Sequence, residues 1–332
     1  MPNHLIHIGF YKAGSTFLQQ WFAQHPQLHY EAGAIAGFRD VFQIARVLEP
    51  TCKYYVTSAE ELTAPHKDAG ELPLDPGRPG YSAAEPVQIR QAAVCRTLRD
   101  LFPGSRILFV TRGFRSLQIS GYSEYLKAGG IRGVPAPRPP GYTGTESRGD
   151  PRVHRDFDYL VQLYAEAFGE ENLIVLPYEL LRDDERRFLA LLEERLGLDH
   201  AEVKIGRPNP SLSPEEMYWY RVISSTVSAA ALRLGDGAFT RIYGRYAKLT
   251  KGGRLKPIVR LLARMFPARK VTAADFHESV LLQWLGRAER LRDDPLYAPY
   301  AADYLWDLDA NSGRGGASGA TSVGEAASSV ER

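Results

Sequence analysis

Cysteine is nearly missing: Cys52 and Cys95 are the only two in 332 residues. Two are too few for a disulfide framework, and no His or Cys spacing along the chain suits a bound metal. A reducing, cytoplasmic setting without a metal cofactor is the expectation. Long apolar runs are missing too; none approaches the roughly 20 residues that span a bilayer as a helix. The opening residues, MPNHLIHIGF, enter a strand pattern at once and lack the basic flank and apolar centre of a secretory leader. An excess of one charge is also lacking: 41 Lys and Arg face 39 Asp and Glu, which leaves no global pull toward nucleic acid. No internal repeat is visible. What is present is core material, 44% hydrophobic and 11% aromatic residues, enough for one large α/β domain or two small ones.

Strand and helix signals alternate through the first half, the pattern of a parallel α/β sheet. The apolar run Leu5, Ile6, Ile8 reads as a buried strand, Lys53–Ser58 as a second and Arg106–Thr111 as a third. Glu31–Leu48, Pro86–Phe102 and Ser116–Lys127 read as helices. Phe157–Phe168, Leu173–Leu176 and Arg186–Leu196 continue as helix, strand and helix, and from Pro214 onward every signal is helical. Ala64–Glu85 and Gly129–Pro151, rich in Gly and Pro, read as long loops. The first is placed to cover a cleft; the second is either a lid or acceptor loop or a floppy insertion. The predicted organisation is a core over 1–215, a helical extension over 216–308 packed on it, and a disordered tail over 309–332 rich in Gly, Ala and Ser.

The most informative stretch is Leu5–Phe22. Its strand breaks at Gly9, crosses a loop holding Lys12, Ala13 and Gly14, and reaches Ser15 and Thr16 at the head of an amphipathic helix. Strand, glycine loop and helix N-terminus together form an anion cradle, because the first N–H groups of a helix have no intrahelical partner and its dipole is positive there. A nucleotide-hydrolase loop carries lysine directly before Ser or Thr. Here Ser15 holds that position and the lysine lies three residues earlier, at Lys12. That displacement argues against an ordinary ATPase or GTPase and resembles the 5′-phosphosulfate loop of sulfotransferases that use PAPS (3′-phosphoadenosine 5′-phosphosulfate).

A second motif follows about 100 residues later. The third strand ends in Arg112, and Ser120 lies eight residues on, inside the next helix. An arginine at the carboxyl end of a strand faces the crevice where α/β proteins bind ligands, and a serine two helical turns later reaches the same anion. Arg112-Gly-Phe-Arg115-Ser-Leu-Gln-Ile-Ser120 resembles the 3′-phosphate motif of the same family, with Gly113-Phe114 in place of the usual Asn-Pro. The stretch Asn172–Leu198 is similar to the family's later strand and helix, in which Tyr178 and Glu179 brace rather than react. Arg207 and Asn209 stand where many members return a loop to the 3′-phosphate and adenine. The resemblance covers roughly residues 4–215. It implies a P-loop-like three-layer α/β fold, with a central parallel sheet flanked by helices and a helical C-terminal extension. It also implies PAPS as co-substrate, PAP as product, and no metal.

Sulfuryl transfer needs a base for the acceptor. Glu60, just past the strand KYYVTS, faces the crevice and stands in an S-x-E-x-L stretch similar to one in bacterial sulfotransferases. The pair Glu60-Glu61 also fits an acidic first helical turn. His66 is the alternative base, as histidine serves many cytosolic members, and it equally fits a solvated loop. The acceptor class implied is a carbohydrate, a glycolipid or another hydroxylated molecule.

Between Arg233 and Lys270 eleven Lys and Arg face a single acid, Asp236, with apolar and aromatic residues interleaved. Such a segment rests on anionic lipid, grips an acidic polymer, or is the solvated basic face of a packed helix. Peripheral contact at an inner membrane face and a homodimer both stay open. So do two rival functions: an atypical P-loop kinase, and a nucleotide- or polyanion-binding protein without catalysis.

Overall fold

The structure, a computed structural model, describes residues 3–33, 51–63, 87–133, 155–206 and 211–308, apart from 267, 269 and 277. Five strands form one sheet: β1 (Asn3–Ile8), β2 (Leu28–Tyr30), β3 (Tyr54–Ala59), β4 (Arg106–Thr111) and β5 (Leu173–Pro177). Their order is β2-β3-β1-β4-β5, and every neighbouring pair is parallel. β1 sits centrally, with Ile6 opposite Thr57 of β3 on one side and Ile107 of β4 on the other. Leu5, Ile6 and Ile8 are wholly buried, as an apolar strand covered on both faces requires.

Helices flank the sheet, giving the P-loop-like α/β fold expected. In the first half they are α1 (Ser15–Gln24), α2 (Val87–Leu101), α3 (Phe114–Lys127) and α4 (Phe157–Phe168). After β5 come α5 (Tyr178–Asp183) and α6 (Glu185–Leu196). α1 buries Leu18, Trp21 and Phe22 at helical spacing. α6 ends at Gly197, whose φ of 63° gives the left-handed cap that glycine adopts without a Cβ penalty.

The sequence reading differs in several places. The strand expected second is the third in the chain, because three-residue β2 is too short to show a period. Glu31–Gly33 are not helical, and the rest of that expected helix lies outside the described residues. α3 starts at Phe114 rather than Ser116, and α5 was not foreseen.

C-terminal to the sheet, α7 (Pro214–Leu232), α8 (Asp236–Lys251) and α9 (Lys256–Met265) are helical as read. α7 begins with a capping box in which Ser213 and Glu216 each accept the other's backbone N–H. Beyond α9 helix is sparse among the described residues: α10 (Glu278–Leu282), a helical stretch at 306–308 and short 3₁₀ turns follow. Large aromatic side chains dictate that path. Trp284, Tyr297, Tyr304 and Trp306 are buried in the same core as the sheet, and a straight helix cannot deliver all four. A second, smaller core joins Tyr122 and Leu126 of α3 to Met217 and Tyr220 of α7 and Val259 of α9.

Candidate anion-binding cleft

Strand order decides where the site forms. The chain leaves β1 toward β2 and β3, then crosses back over β1 to β4, so a crevice opens beyond the carboxyl ends of β1, β3 and β4. The segments after β1, β3, β4 and β5 converge there, around a cleft of about 400 Å³ lined by residues of all four.

The loop after β1 supplies the floor. Lys12 (φ 67°) and Gly14 (φ 86°) both take the left-handed conformation, which is costly for lysine and persists where surrounding structure enforces it. A Cβ on Gly14 would come within 2.9 Å of Leu181 Cδ2, so glycine allows α5 to close over the loop. α1 then starts with Gly14 at its N-cap and no side-chain cap, leaving its first N–H groups directed at the cleft. Lys12, Gly14, Ser15 and Thr16 all line the cleft. Ala13 does not; it is buried, and its N–H closes the loop on the Phe10 carbonyl at 3.2 Å.

Arg112 enters from the end of β4. Its Nε donates to Ser116 Oγ at 3.1 Å, an Nη donates to the Lys12 carbonyl, and its guanidinium lies 4.3 Å from the centroid of the Tyr178 ring. These partners are uncharged, so they orient the cation without neutralising it. Burial is the largest influence on Arg112 and disfavours its charge, opposed by Tyr178 and Glu179. Glu179 is wholly buried and accepts from Gly113 N at 3.1 Å, Ser116 Oγ at 2.8 Å and Tyr304 Oη at 3.3 Å. It braces Arg112 through Ser116, the role read for it. Ser120, buried on α3, lines the same cleft. Arg115 of the same motif points elsewhere, to the Ala302 carbonyl at 2.7 Å and to Asp307 at 2.9 Å.

Glu60 begins a 3₁₀ turn after β3. The Thr63 hydroxyl, 2.9 Å from both the Gly9 and Glu60 carbonyls, ties that turn to the β1 loop. Gly9 permits the approach, since a Cβ there would lie 3.1 Å from Ser15 Oγ and 3.2 Å from Glu60 Cα. Burial pushes the Glu60 carboxyl up, while the Ser15 hydroxyl and the Lys12 charge pull it back in part. Glu60 and Thr16 also line a second cleft of about 620 Å³, floored by Gln19, Thr57 and Ser58, so Glu60 stands on the wall between two cavities.

Two contributors, Glu124 and Arg182, escaped the sequence reading. Glu124 of α3 accepts from Lys12 Nζ at 2.9 Å. Burial pushes the Glu124 carboxyl up, but Lys12, Lys127 and Lys251 outweigh it and hold it below the usual range. Tyr178 carries the Arg112 guanidinium, and Arg182, one turn further along α5, adds a cation to the cleft. His66, Arg207 and Asn209 lie outside the described residues.

Among the described residues no group of three His, Cys, Asp or Glu could hold a metal ion, and no helix is long and apolar enough to cross a membrane. No family model matches the chain, and no curated protein sequence matches it. Among solved structures the chain is similar to a sulfotransferase from Alicyclobacillus acidocaldarius, at 15% identity and a TM-score of 0.42, over 74% of this chain and 96% of that one.

Proposed function

We propose that this chain is a PAPS-dependent sulfotransferase acting on a hydroxyl or amine of a carbohydrate or glycolipid-like acceptor. The observation that carries this reading is the one cleft shared by Lys12, Gly14, Ser15, Thr16, Arg112 and Ser120, with Glu60 on the wall toward a second cavity. The donor set suits PAPS: an uncapped helix N-terminus and Lys12 for the 5′-phosphosulfate, Arg112 and Ser120 for the 3′-phosphate. Arg207 and Asn209 extend the proposal toward the 3′-phosphate and adenine. When bound, PAPS supplies a sulfuryl group on a phosphate leaving group.

In the proposed reaction the acceptor enters from the second cavity, and Glu60 removes its proton as the acceptor oxygen or nitrogen bonds to sulfur. The bond from sulfur to the bridging oxygen breaks, and its electron pair stays on the 5′-phosphate of PAP. Lys12 and the loop N–H groups stabilise the charge developing there, the kind of preorganised donor set that dominates transfer of such groups. Glu124 keeps the Lys12 ammonium at the mouth of the loop. His66 is the second proposed base.

Calorimetric titration with PAP, and separately with ATP and Mg²⁺, tests the reading. Metal-independent PAP binding in the micromolar range is expected, weakened about tenfold or more in Arg112→Ala by loss of charge-assisted hydrogen bonds. Preference for ATP with Mg²⁺ and indifference to Arg112 would instead make the site kinase-like.

A further inference from the structure

The basic segment singled out in the sequence folds in an unexpected way. On α9, Ile258, Leu261 and Met265 recur at spacings of three and four and so share one face. That face points to solvent: these three side chains and Phe266, which follows the helix, are each between 51% and 59% exposed. The inward face holds Val259, wholly buried, and Leu255, packed against the smaller core, while Arg260, itself exposed, reaches along the rim to Glu216 of α7 at 3.1 Å. The helix therefore carries more apolar surface than its seat on the protein covers, and one apolar stripe is left in solvent beside the cations.

The surroundings say what covers it. Lys248, Lys251 and Arg254 precede the helix, Arg264 and Lys270 flank its end, and the whole 233–270 stretch carries eleven cations against one acid. A second copy of this chain would bring an equal excess of positive charge against the stripe, which like-charge repulsion opposes. An anionic bilayer surface offers the complement of both features, headgroup charge for the cations and an acyl boundary for the apolar side chains. We infer that α9 is an interfacial helix that seats the protein on anionic lipid. Lys251, the last residue of α8, also acts on the Glu124 carboxylate that holds Lys12. The seating itself does not depend on the reaction proposed above.

Sedimentation of the full chain with vesicles of mixed phosphatidylglycerol and phosphatidylcholine tests this without substrate. Partitioning is expected at low salt, weaker with phosphatidylcholine alone. It should fall about tenfold or more in the combined variant Ile258→Asn, Leu261→Asn, Met265→Asn, from the apolar area lost to the acyl boundary. Lys251→Gln with Arg254→Gln should weaken it through charge alone. Trp219 supplies an independent readout: its Nε1 donates to the Phe266 carbonyl at 3.3 Å, beside the stripe, whereas the other three tryptophans are buried. Its emission should shift to the blue with anionic vesicles. Failure to sediment at low salt overturns the inference. So does binding that the apolar variants leave unchanged, or a lipid-independent dimer that they dissolve.

Discussion

Glu60 shows how one residue's surroundings make it useful. Its carboxyl is pushed above the ordinary range by burial first, with Ser15 and Lys12 opposing. A carboxylate whose folded pKa is raised contributes stability at low pH that is lost as pH rises through that raised value. Glu60→Gln is therefore expected to leave stability at neutral pH unchanged or slightly higher. Turnover should fall by about 10²–10⁴ with PAP affinity retained, the range typical of losing a general base. In the parent chain the rate should rise with pH through a value above the ordinary glutamate range, and this limb should vanish in the variant. Pre-steady-state rates across pH, read beside denaturant midpoints, check both halves. Turnover unchanged by the substitution would return the base to His66.

At the scale of elements, the turn from β4 into α3 is the joint on which the site depends. Gly113 occupies the position where the resembling motif has asparagine, and the fold explains the difference. A Cβ there would lie 2.4 Å from Asp303 Cβ and 2.9 Å from its backbone carbon. The C-terminal segment crosses directly over this turn, and Arg115 N donates to the Asp303 carbonyl at 3.1 Å. Gly113→Ala must push the segment away, and a loss of about 1–3 kcal/mol is expected from such overpacking. Urea unfolding measures it. PAP affinity should fall with it, because Gly113 N anchors Glu179, which in turn holds Ser116 under Arg112. Stability unchanged by the substitution would mean that the crossing gives way freely.

Over the whole molecule, the sheet's central strand carries one half-buried and one buried histidine with consequences for acid stability. His4 Nε2 lies 2.9 Å from Thr57 Oγ1 and His7 Nδ1 lies 2.8 Å from Ser58 Oγ, both bridging β1 to β3. Burial lowers His4 to about 4 and His7 to about 3, so both are neutral in the folded state at neutral pH. A depressed folded pKa contributes stability present above the unfolded value near 6.5 and lost progressively as pH falls toward the folded value. The two together are expected to cost a few kcal/mol between about pH 6.5 and 4. Denaturant midpoints across that window should fall, and His4→Gln should flatten the slope; a level profile would show that the strand opens to solvent. The same scale explains what could be read in advance. The β1–loop–α1 cradle, the Arg112–Ser120 spacing and Glu60 after its strand were legible because each lies within one local stretch of apolar period, glycine and helix start. Glu124 and Arg182 were not, since they reach the cleft only because β4 lies beside β1 and β5 beside β4. Tyr304, which touches both Glu179 and Thr111 from nearly 200 residues beyond β4, had no local signal at all. By itself the sequence determined four of the five strands, the strand–loop–helix around Gly14 and the density of basic charge near the C-terminus, because these follow from short-range periodicity and backbone chemistry. Only the tertiary structure decided which cations share the cleft, which carboxylate holds the loop lysine and which face of α9 meets solvent, because those depend on strand order and on long-range burial of aromatic side chains.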